Sequence, residues 1–294
     1  RIQQARMESM ERIAQTPNMF VLTGWCIKRE VDDLVEDLRD KFTLAIEHRP
    51  PREGEVAPTL LENSPVVSPF EEVVLMFSAP KYGVDIDPSF ALAPLYSFFF
   101  GIMLSDVGYG LLLMLGCAAL IWGFKVEGSF RKMALVLFDG GIFSVFWGIM
   151  FGSFFGDLLS IVSQGAITFE PVWFDPLEDP LKLMIWSMIF GVIHLFIGMA
   201  LKIYMYSRDG KVYAALTTIA PWYLILTGLG LMIGTDMDWP KYMALAGALI
   251  LVFLPPSDTK NPIKRFFKNL AGLYDIANYL GDILSYTRIL ALTL

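Results

Sequence analysis

The sequence predicts a mainly α-helical protein: a polytopic transmembrane helical domain, preceded by a small cytosolic α/β lobe and the end of a coiled-coil arm. Three observations support this fold class. Hydrophobic residues make up 55% and charged residues 18% of the 294 residues, against about 45–50% and about 25% in soluble proteins. The apolar excess begins near Phe90 and falls into runs of about 20 residues, the length that crosses a bilayer. The charges between these runs alternate in sign.

The first 88 residues form the predicted cytosolic part. Arg1–Gln15 places apolar residues at helical spacing among charged ones, which is typical of the end of a long helix or coiled coil. Met19–Ile27 is rich in β-branched and aromatic residues and predicts a buried strand. Lys28–Phe42 predicts a helix with acidic residues in its first turn, and Thr43–Glu47 predicts a returning strand. Together these elements would form a β-α-β unit.

A proline-punctuated loop from Arg49 leads towards the membrane. Within it, Pro69–Ser78 predicts a short amphipathic helix, and Tyr82–Pro88 predicts a turn. The sequence therefore predicts two domains, the end of a cytosolic arm over residues 1–88 and a transmembrane domain over residues 89–294. Because the sequence lacks an initiator methionine and ends inside an apolar helix without a stop signal, we expect it to be an internal portion of a longer polypeptide.

About seven membrane spans are predicted, at residues 90–105, 109–125, 132–154, 181–205, 212–234, 240–255 and 269–294. The first two are separated only by Ser105–Gly110, where an aspartate and two glycines interrupt a run too long for one crossing. If the N-terminal part is cytoplasmic, the inner loops carry the basic residues and the outer loops the acidic ones. A single first span would invert this pattern, so the charges support a hairpin at Ser105–Gly110.

The composition also excludes several classes of function. A net charge of −7 makes a nucleic-acid partner unexpected. Two cysteines and two histidines, with no close Cys/His cluster, predict neither a disulfide framework nor a metal site. The chain has no phosphate-binding loop, nucleophile elbow or zinc-protease motif, so we predict no catalytic site and no cofactor. Any energy source would lie on a partner.

The last apolar stretch carries a single arginine, Arg288, near the middle of a predicted span. A charge at that depth costs about 2.5–3.5 kcal/mol on insertion scales. At about 100° per residue, the residues within about 60° of Arg288 are Ala277, Gly281, Leu284, Ser285, Ala291 and Leu292. Asp275 and Asp282 lie elsewhere on the wheel, so we expect the partner of Arg288 on another helix. Small neighbours allow such a helix to approach closely; a static salt bridge or a snorkelling side chain is the structural alternative.

Other polar residues in the spans have two interpretations each. Asp106, at the hairpin tip, either lines an aqueous entry on the outer side or caps the following helix. Asp139, on the cytoplasmic side of the third span, is a candidate for a polar lining, whereas the glycines near it are expected to serve helix packing. We expect His194 to be a packing histidine hydrogen-bonded to a neighbouring helix rather than a proton relay.

Several stretches, taken in serial order, resemble subunit a (also called subunit I) of V-type and archaeal or bacterial A-type rotary ATPases, in its prokaryotic form. They are Thr23–Ile27, Pro58–Pro65, Pro69–Glu72, Pro80–Pro88, Ser105–Gly110, Gly141–Asp157 and Ser285–Leu292. The resemblance covers nearly the whole chain. It differs at Ser105, where the family has glycine, and the family has a further helix with a second important arginine that this sequence does not include.

The resemblance implies a non-catalytic stator subunit of an ion-translocating ATPase, multi-pass in a prokaryotic plasma membrane. Its arm would contact peripheral-stalk subunits and a central-stalk d-type subunit, and its membrane half would meet lipid and a ring of proteolipid (c or K) subunits. Ions would enter one half-channel, occupy a ring carboxylate and leave by the other, coupling transport to rotation. The ring would determine whether H⁺ or Na⁺ moves.

The motif Ser-Tyr-x-Arg-x-x-Ala-Leu places the family's arginine on Arg288. The resemblance implies that Arg288 displaces the ion from the ring carboxylate and blocks a direct leak. Gly281 and Ser285 would belong to the ring-facing surface. Asp106 and Asp139 are candidates for the half-channel lining.

Two other classes of function remain open from the residues alone. A secondary transporter would use Arg288 to bind an anionic substrate in mid-membrane and should show interrupted spans in matching positions of two repeats. The sequence shows one such hairpin, in its first half. A structural membrane scaffold would instead hold Arg288 in a static salt bridge.

Overall fold

The computed structural model describes residues 14–16, 19–52, 55, 57–166, 168–235, 237–254 and 262–294. The chain divides into two compact units. One consists of the described parts of Arg1–Leu60 and Pro80–Asp85, and the other of Leu61–Ala79 and the described parts of Ile86–Leu294. The predicted division at residue 88, between a cytosolic arm and a membrane domain, stays a prediction.

The first unit contains a short antiparallel hairpin and one helix. Strands β1 (Ala14–Thr16) and β2 (Met19–Val21) pair in the register Ala14↔Val21 and Thr16↔Met19. A 3₁₀ turn leads into α1 (Val31–Lys41), which confirms the helix predicted over Lys28–Phe42. Residues 1–13 of the predicted helical run Arg1–Gln15 lie outside the described residues. Ala14 and Gln15, the last two residues of that run, belong to β1.

The predicted β-α-β unit is wrong. The strand expected over Met19–Ile27 extends only to Val21, and Leu22 is 71% exposed. Thr43–Glu47 is irregular instead of forming a returning strand. A strand needs a neighbour for its backbone groups. Pairing with the segment directly before it closes a much shorter loop than pairing across α1, so the local hairpin forms instead.

The second unit is built from helices. They are α2 (Glu71–Phe77), α3 (Ser89–Leu104), α4 (Val107–Ala118, extended by a π turn over Ala119–Gly123), α5 (Gly128–Phe151), α6 (Leu158–Val162), α7 (Pro180–Arg208), α8 (Val212–Thr218), α9 (Ala220–Gly234), α10 (Trp239–Phe253), α11 (Pro262–Gly272), α12 (Asp275–Ser285) and α13 (Thr287–Thr293). Helix α2 follows a 3₁₀ turn at Ser68–Phe70 and confirms the short helix predicted there, but its predicted amphipathic character is wrong, since Glu71 is buried and Phe77 is exposed.

Three helical stretches in the described part of the chain are long and apolar enough to cross a membrane: α5, α7 and the combined stretch Val212–Gly234. Ser89–Leu104, Val107–Gly123 and Trp239–Phe253 are shorter apolar helices. Helices α3 and α4 are separated at Ser105 and Asp106, which confirms the break predicted within the first apolar run.

Two predicted spans are less regular than expected. The span at 212–234 is interrupted at Ile219, because Pro221 has no N–H to donate to the preceding turn and is instead accommodated in the first turn of α9. The span at 269–294 consists of the end of α11, then α12 and α13. At the α11–α12 junction the N–H groups of Leu273 and Tyr274 bond three residues back rather than four, which tightens the helix without ending its path.

Two apolar clusters hold the last helices against the rest of the unit. Ile283 packs with a cluster around Trp222, Ile225 and Met199. Ile289 packs with a cluster around Trp147, Ile102 and Leu183. The close approach of α5 to the start of α4 depends on glycine, because a Cβ added at Gly148 of α5 would overlap the backbone nitrogen of Val107. This contact confirms that a glycine of the third span serves helix packing.

Candidate functional site

The predicted Arg288 face is open along α12 and α13. Its residues are all exposed: Ala277, Gly281, Leu284, Ser285, Arg288, Ala291 and Leu292. Outside its own helix, no atom of the residues that the structure describes lies within 4 Å of the position that a Cβ would take at Gly281. The Ser285 hydroxyl donates to the carbonyl of Gly281 at 2.7 Å, so this polar group is satisfied within the helix. The face therefore combines one cation with small and apolar groups and is not covered by described parts of the chain.

Arg288 has no ion-pair partner among the residues that the structure describes. Asp275 and Asp282, the acidic residues of α12, are exposed and form no ion pair with it. Asp275 instead accepts a hydrogen bond from the side-chain amide of Asn278 at 3.2 Å. The guanidinium is thus presented on an open surface without a counter-charge from the described chain.

The opposite side of the same helix is anchored by side chains. The Tyr286 hydroxyl and His194 Nδ1, on α7, are 2.6 Å apart. Ile289 is buried, and the Thr293 hydroxyl donates to the carbonyl of Ile102 in α3 at 3.0 Å. Two faces follow from the helical period: residues 283, 286, 289 and 293 point into the unit, and residues 281, 285, 288 and 292 point out.

Asp106 is buried at the tip of the α3–α4 hairpin. One carboxylate oxygen accepts from the backbone N–H of Tyr109 at 2.8 Å, which is an N-cap of α4. The other accepts from the Ser153 hydroxyl at 2.6 Å and from the Gly156 N–H at 2.9 Å. The capping interpretation is therefore confirmed, and the same carboxylate ties the turn after α5 to the hairpin. A channel-lining role stays a prediction.

Asp139 is half-buried in α5 and accepts a hydrogen bond from the hydroxyl of Ser97 in α3. Ser97 itself is fully buried. The pair links two helices and places one carboxylate in an otherwise apolar contact. Asp139 and Asp106 have different hydrogen-bond partners, Ser97 and Ser153, so the structure does not join the two acids into one site.

A polar cluster around Glu71 was not predicted as a site. Glu71 is buried and pairs with Lys132 of α5 at 2.8 Å, while Asn63 and Ser68 also donate to it. Burial opposes ionisation, but the hydrogen bonds from Lys132, Asn63 and Ser68 outweigh it and lower the pKa of Glu71 below its ordinary value. The signal available in the sequence was a pair of acidic residues, Glu71 and Glu72, on an otherwise apolar short helix.

Sequence reasoning also missed the partner of His194. The expectation of a packing histidine bonded to a neighbouring helix is confirmed, with Tyr286 as its partner. The available signal was one polar aromatic residue, Tyr286, two positions from Arg288 and on the opposite side of the helix. Across the described residues, no group of three or more His, Cys, Asp or Glu side chains is arranged to hold a metal ion.

The sequence of the chain matches a known protein family and several known proteins. The sequence model described as the V-type ATPase 116kDa subunit family matches residues 5–168. The chain is 31% identical over 290 residues, 96% of its length, to the A-type ATP synthase subunit I of Pyrococcus abyssi. It is 27% identical over 325 residues, covering all of the chain, to the corresponding subunit of Methanocaldococcus jannaschii. Over 145 residues, 47% of the chain, it is 30% identical to the V-type ATP synthase subunit I of Chlamydia pneumoniae.

The chain spans less than half the length of the archaeal relatives it matches. It covers 43% of the Pyrococcus abyssi protein and 46% of the Methanocaldococcus jannaschii protein. The Chlamydia pneumoniae protein is covered over 21% of its length.

Proposed function

This chain belongs to the V-type ATPase 116kDa subunit family, and we propose that it acts as the membrane stator subunit of an A/V-type rotary ATPase. In this role it forms ion half-channels against a proteolipid ring and couples the movement of H⁺ or Na⁺ to rotation. The chain performs no ATP chemistry of its own, and the soluble ATPase subunits supply or store the energy.

The observation that carries the proposal is the open Arg288 face. An arginine within an apolar span is costly, and a buried charge without a partner is strongly destabilising. The described chain supplies no counter-charge, although Asp275 and Asp282 lie on α12, directly before the helix of Arg288. We propose that the missing charge comes from another protein. A carboxylate that passes this face on a rotating ring satisfies the requirement.

The neighbours of Arg288 suit such an encounter. Ser285 and Gly281 lie one and two turns before Arg288 on the exposed face and have small side chains or none. Small residues allow two helices to approach closely in a membrane. When a ring carboxylate comes opposite Arg288, the guanidinium displaces the bound ion from it. The same fixed cation prevents ions from passing directly between the half-channels.

Asp106 and Asp139 are proposed to line the two half-channels. Asp139 lies on the cytoplasmic side of its span in the proposed topology, and Asp106 lies at the outer hairpin. Both are carboxylates in an apolar helical unit. Asp139 accepts a hydrogen bond from the Ser97 hydroxyl, and Asp106 accepts one from the Ser153 hydroxyl. Intramembrane carboxylates are characteristic of ion pathways.

The proposed topology has about seven spans, with residues 1–88 as the end of a cytoplasmic arm and residues 89–294 in the membrane. It rests on the positive-inside distribution of Lys and Arg and on the six apolar helical stretches of the structure. In the complete complex the arm contacts peripheral-stalk subunits and a central-stalk d-type subunit. The helical part contacts lipid and the proteolipid ring.

Arg288→Ala tests the proposal in the whole ATPase complex containing the full-length subunit, reconstituted in vesicles. We expect the variant complex to assemble normally. Its ATP-driven ion uptake should fall to the background measured in vesicles that lack the complex, because the ring carboxylate loses the cation that discharges its ion. Arg131→Ala, at an exposed arginine near the start of α5, is the matched control and should pump normally.

Robust ATP-driven uptake by the Arg288→Ala complex would contradict the proposal. Purification supplies an independent check. A stator subunit co-purifies with a small hydrophobic ring protein and with soluble ATPase subunits. A protein that purifies alone and takes up an anionic solute would instead be a secondary transporter.

A further inference from the structure

We infer that Tyr286 is a positioning residue that fixes the direction in which Arg288 points, and that Gly191 and His194 of α7 hold Tyr286 in place. The inference rests on the proposed function, in which the direction of Arg288 governs ion transfer. The Tyr286 packing site is defined as Gly191, His194 and Phe99.

The backbone at Tyr286 needs a side-chain anchor. Tyr286 lies between α12 and α13, and its N–H bonds to the carbonyl of Ile283, three residues back, at 3.1 Å. The regular four-residue ladder is therefore interrupted two residues before Arg288. Short 3₁₀ segments within a helix often act as hinges. With the ladder broken, side-chain contacts must determine how α13 is rotated relative to α12.

The Tyr286 packing site provides those contacts on three sides. The hydroxyl lies 2.6 Å from His194 Nδ1. The Phe99 ring stacks on His194, with centroids 5.2 Å apart, and lies 5.4 Å from the Tyr286 ring. The third side is Gly191, where an added Cβ would lie 2.5 Å from Tyr286 Cδ2. Only glycine leaves room for the ring at this distance from α7.

A rotation of the helix backbone at Tyr286 changes the direction in which the Arg288 side chain points. The two residues are separated by about 200° around the helix, so they lie on nearly opposite sides. A displacement of the Tyr286 ring away from α7 therefore turns or pushes the Arg288 face. Reacting groups misplaced by about 1 Å lose up to about a hundredfold in rate. If the ring turns past a misdirected Arg288 before its ion is released, ATP is hydrolysed without transport. The Tyr286 packing site thus controls the number of ions pumped per ATP without contacting the ion.

The test compares two glycines of the same helix. Gly191→Ala adds a methyl group against Tyr286. Gly198→Ala, seven residues later, adds one where no atom of the described chain, apart from the adjoining helix backbone, lies within 4 Å. In the assembled complex in vesicles, we expect Gly191→Ala to lower the number of ions pumped per ATP hydrolysed by about tenfold or more. Gly198→Ala should leave this ratio unchanged.

Tyr286→Phe and His194→Gln supply variants with little steric change. Loss of the hydroxyl contact should lower the ratio by about two- to tenfold. If Gly191 and the hydroxyl act through the same ring, the double variant Gly191→Ala/Tyr286→Phe should pump no worse than Gly191→Ala alone. A purely structural role would lower the amount of assembled complex and leave the ratio of ions to ATP in the surviving complex unchanged.

The results separate this inference from the proposed function. If Arg288→Ala abolishes pumping while Tyr286→Phe, His194→Gln and any assembled Gly191→Ala complex keep the parental ratio, the positioning role is overturned and the proposed function stands. If Arg288→Ala pumps normally, the proposed function fails. Multiplicative losses in the double variant would also overturn the positioning role.

Discussion

Ser105 adopts a backbone conformation that is unfavourable for any residue with a side chain. Its φ is 29° and its ψ is 43°, at the end of α3, where the chain turns into the α3–α4 hairpin. The left-handed region costs a non-glycine residue about 1–3 kcal/mol. Glycine is the residue expected here from the family resemblance, and Ser105 is the one residue of the Ser105–Gly110 hairpin whose φ is positive.

Ser105→Gly is therefore expected to stabilise the protein by about 1 kcal/mol, because relief of the left-handed strain exceeds the extra chain entropy that glycine loses on folding. The thermal midpoint of the detergent-solubilised complex measures the change. Ser105→Ala is the matched control, since it removes the hydroxyl but keeps the Cβ. A midpoint raised equally by Ser105→Ala would show that strain is not the cause.

At the scale of elements, one carboxylate joins a helix start to a distant turn. Asp106 caps α4 and also accepts hydrogen bonds from Ser153 and Gly156, in the turn that follows α5. The backbone N–H of Val107 adds a bond to the carbonyl of Ser153 at 3.0 Å. The hairpin and the end of α5 should therefore open together.

Asp106→Ala should destabilise this corner by about 2–4 kcal/mol, because a cap is lost and the Tyr109 and Gly156 N–H groups lose their acceptor. Limited proteolysis of the turn at residues 153–166, measured against temperature, reports the opening. The neighbouring exposed Asp157 provides the control, since Asp157→Ala should change stability by less than about 0.5 kcal/mol. Equal protease sensitivity in the two variants would contradict the proposed link.

The contact between α2 and α5 is an ion pair as well as an apolar contact. Phe70 and Val73 pack against Ala93 and Val136, and Glu71 pairs with Lys132 beside them. The lowered pKa of Glu71 means that its ionised form stabilises the folded state. This stability is complete above the unfolded pKa, about 4.3. It is lost as the pH falls through the lower, folded pKa.

Glu71→Gln should therefore destabilise the protein at pH 7 by about 1–3 kcal/mol, and the difference from the parent should shrink as the pH falls below about 4. Chemical unfolding at a series of pH values checks this. Glu72→Gln is the control, since Glu72 lies 3.9 Å from Lys132 and is more exposed than Glu71. A Glu71→Gln penalty that stays constant down to pH 3 would refute the ionic contribution.

Across the fold, the features that depend on local sequence pattern were predicted correctly. Hydropathy and loop charge gave the α3–α4 break, and helical spacing gave both the Lys28–Phe42 helix and the exposed Arg288 face. The returning strand at Thr43–Glu47 failed because a strand forms only where a neighbour accepts its hydrogen bonds. The Tyr286–His194 contact joins residues 92 positions apart, so it depends on helix docking that no periodicity reports.

The absence of a side chain at Gly191 also limits which part of this chain can be grafted onto another protein. The helix that presents Arg288 contains its own sequence motif, but the space for Tyr286 is made in α7, almost a hundred residues earlier. An engineer who grafts residues 275–293 onto another helical scaffold must also bring a glycine at the facing position of the neighbouring helix. The arginine helix is therefore not a portable module, and chimaeras between distant relatives should be joined so that α7 and α13 come from the same parent.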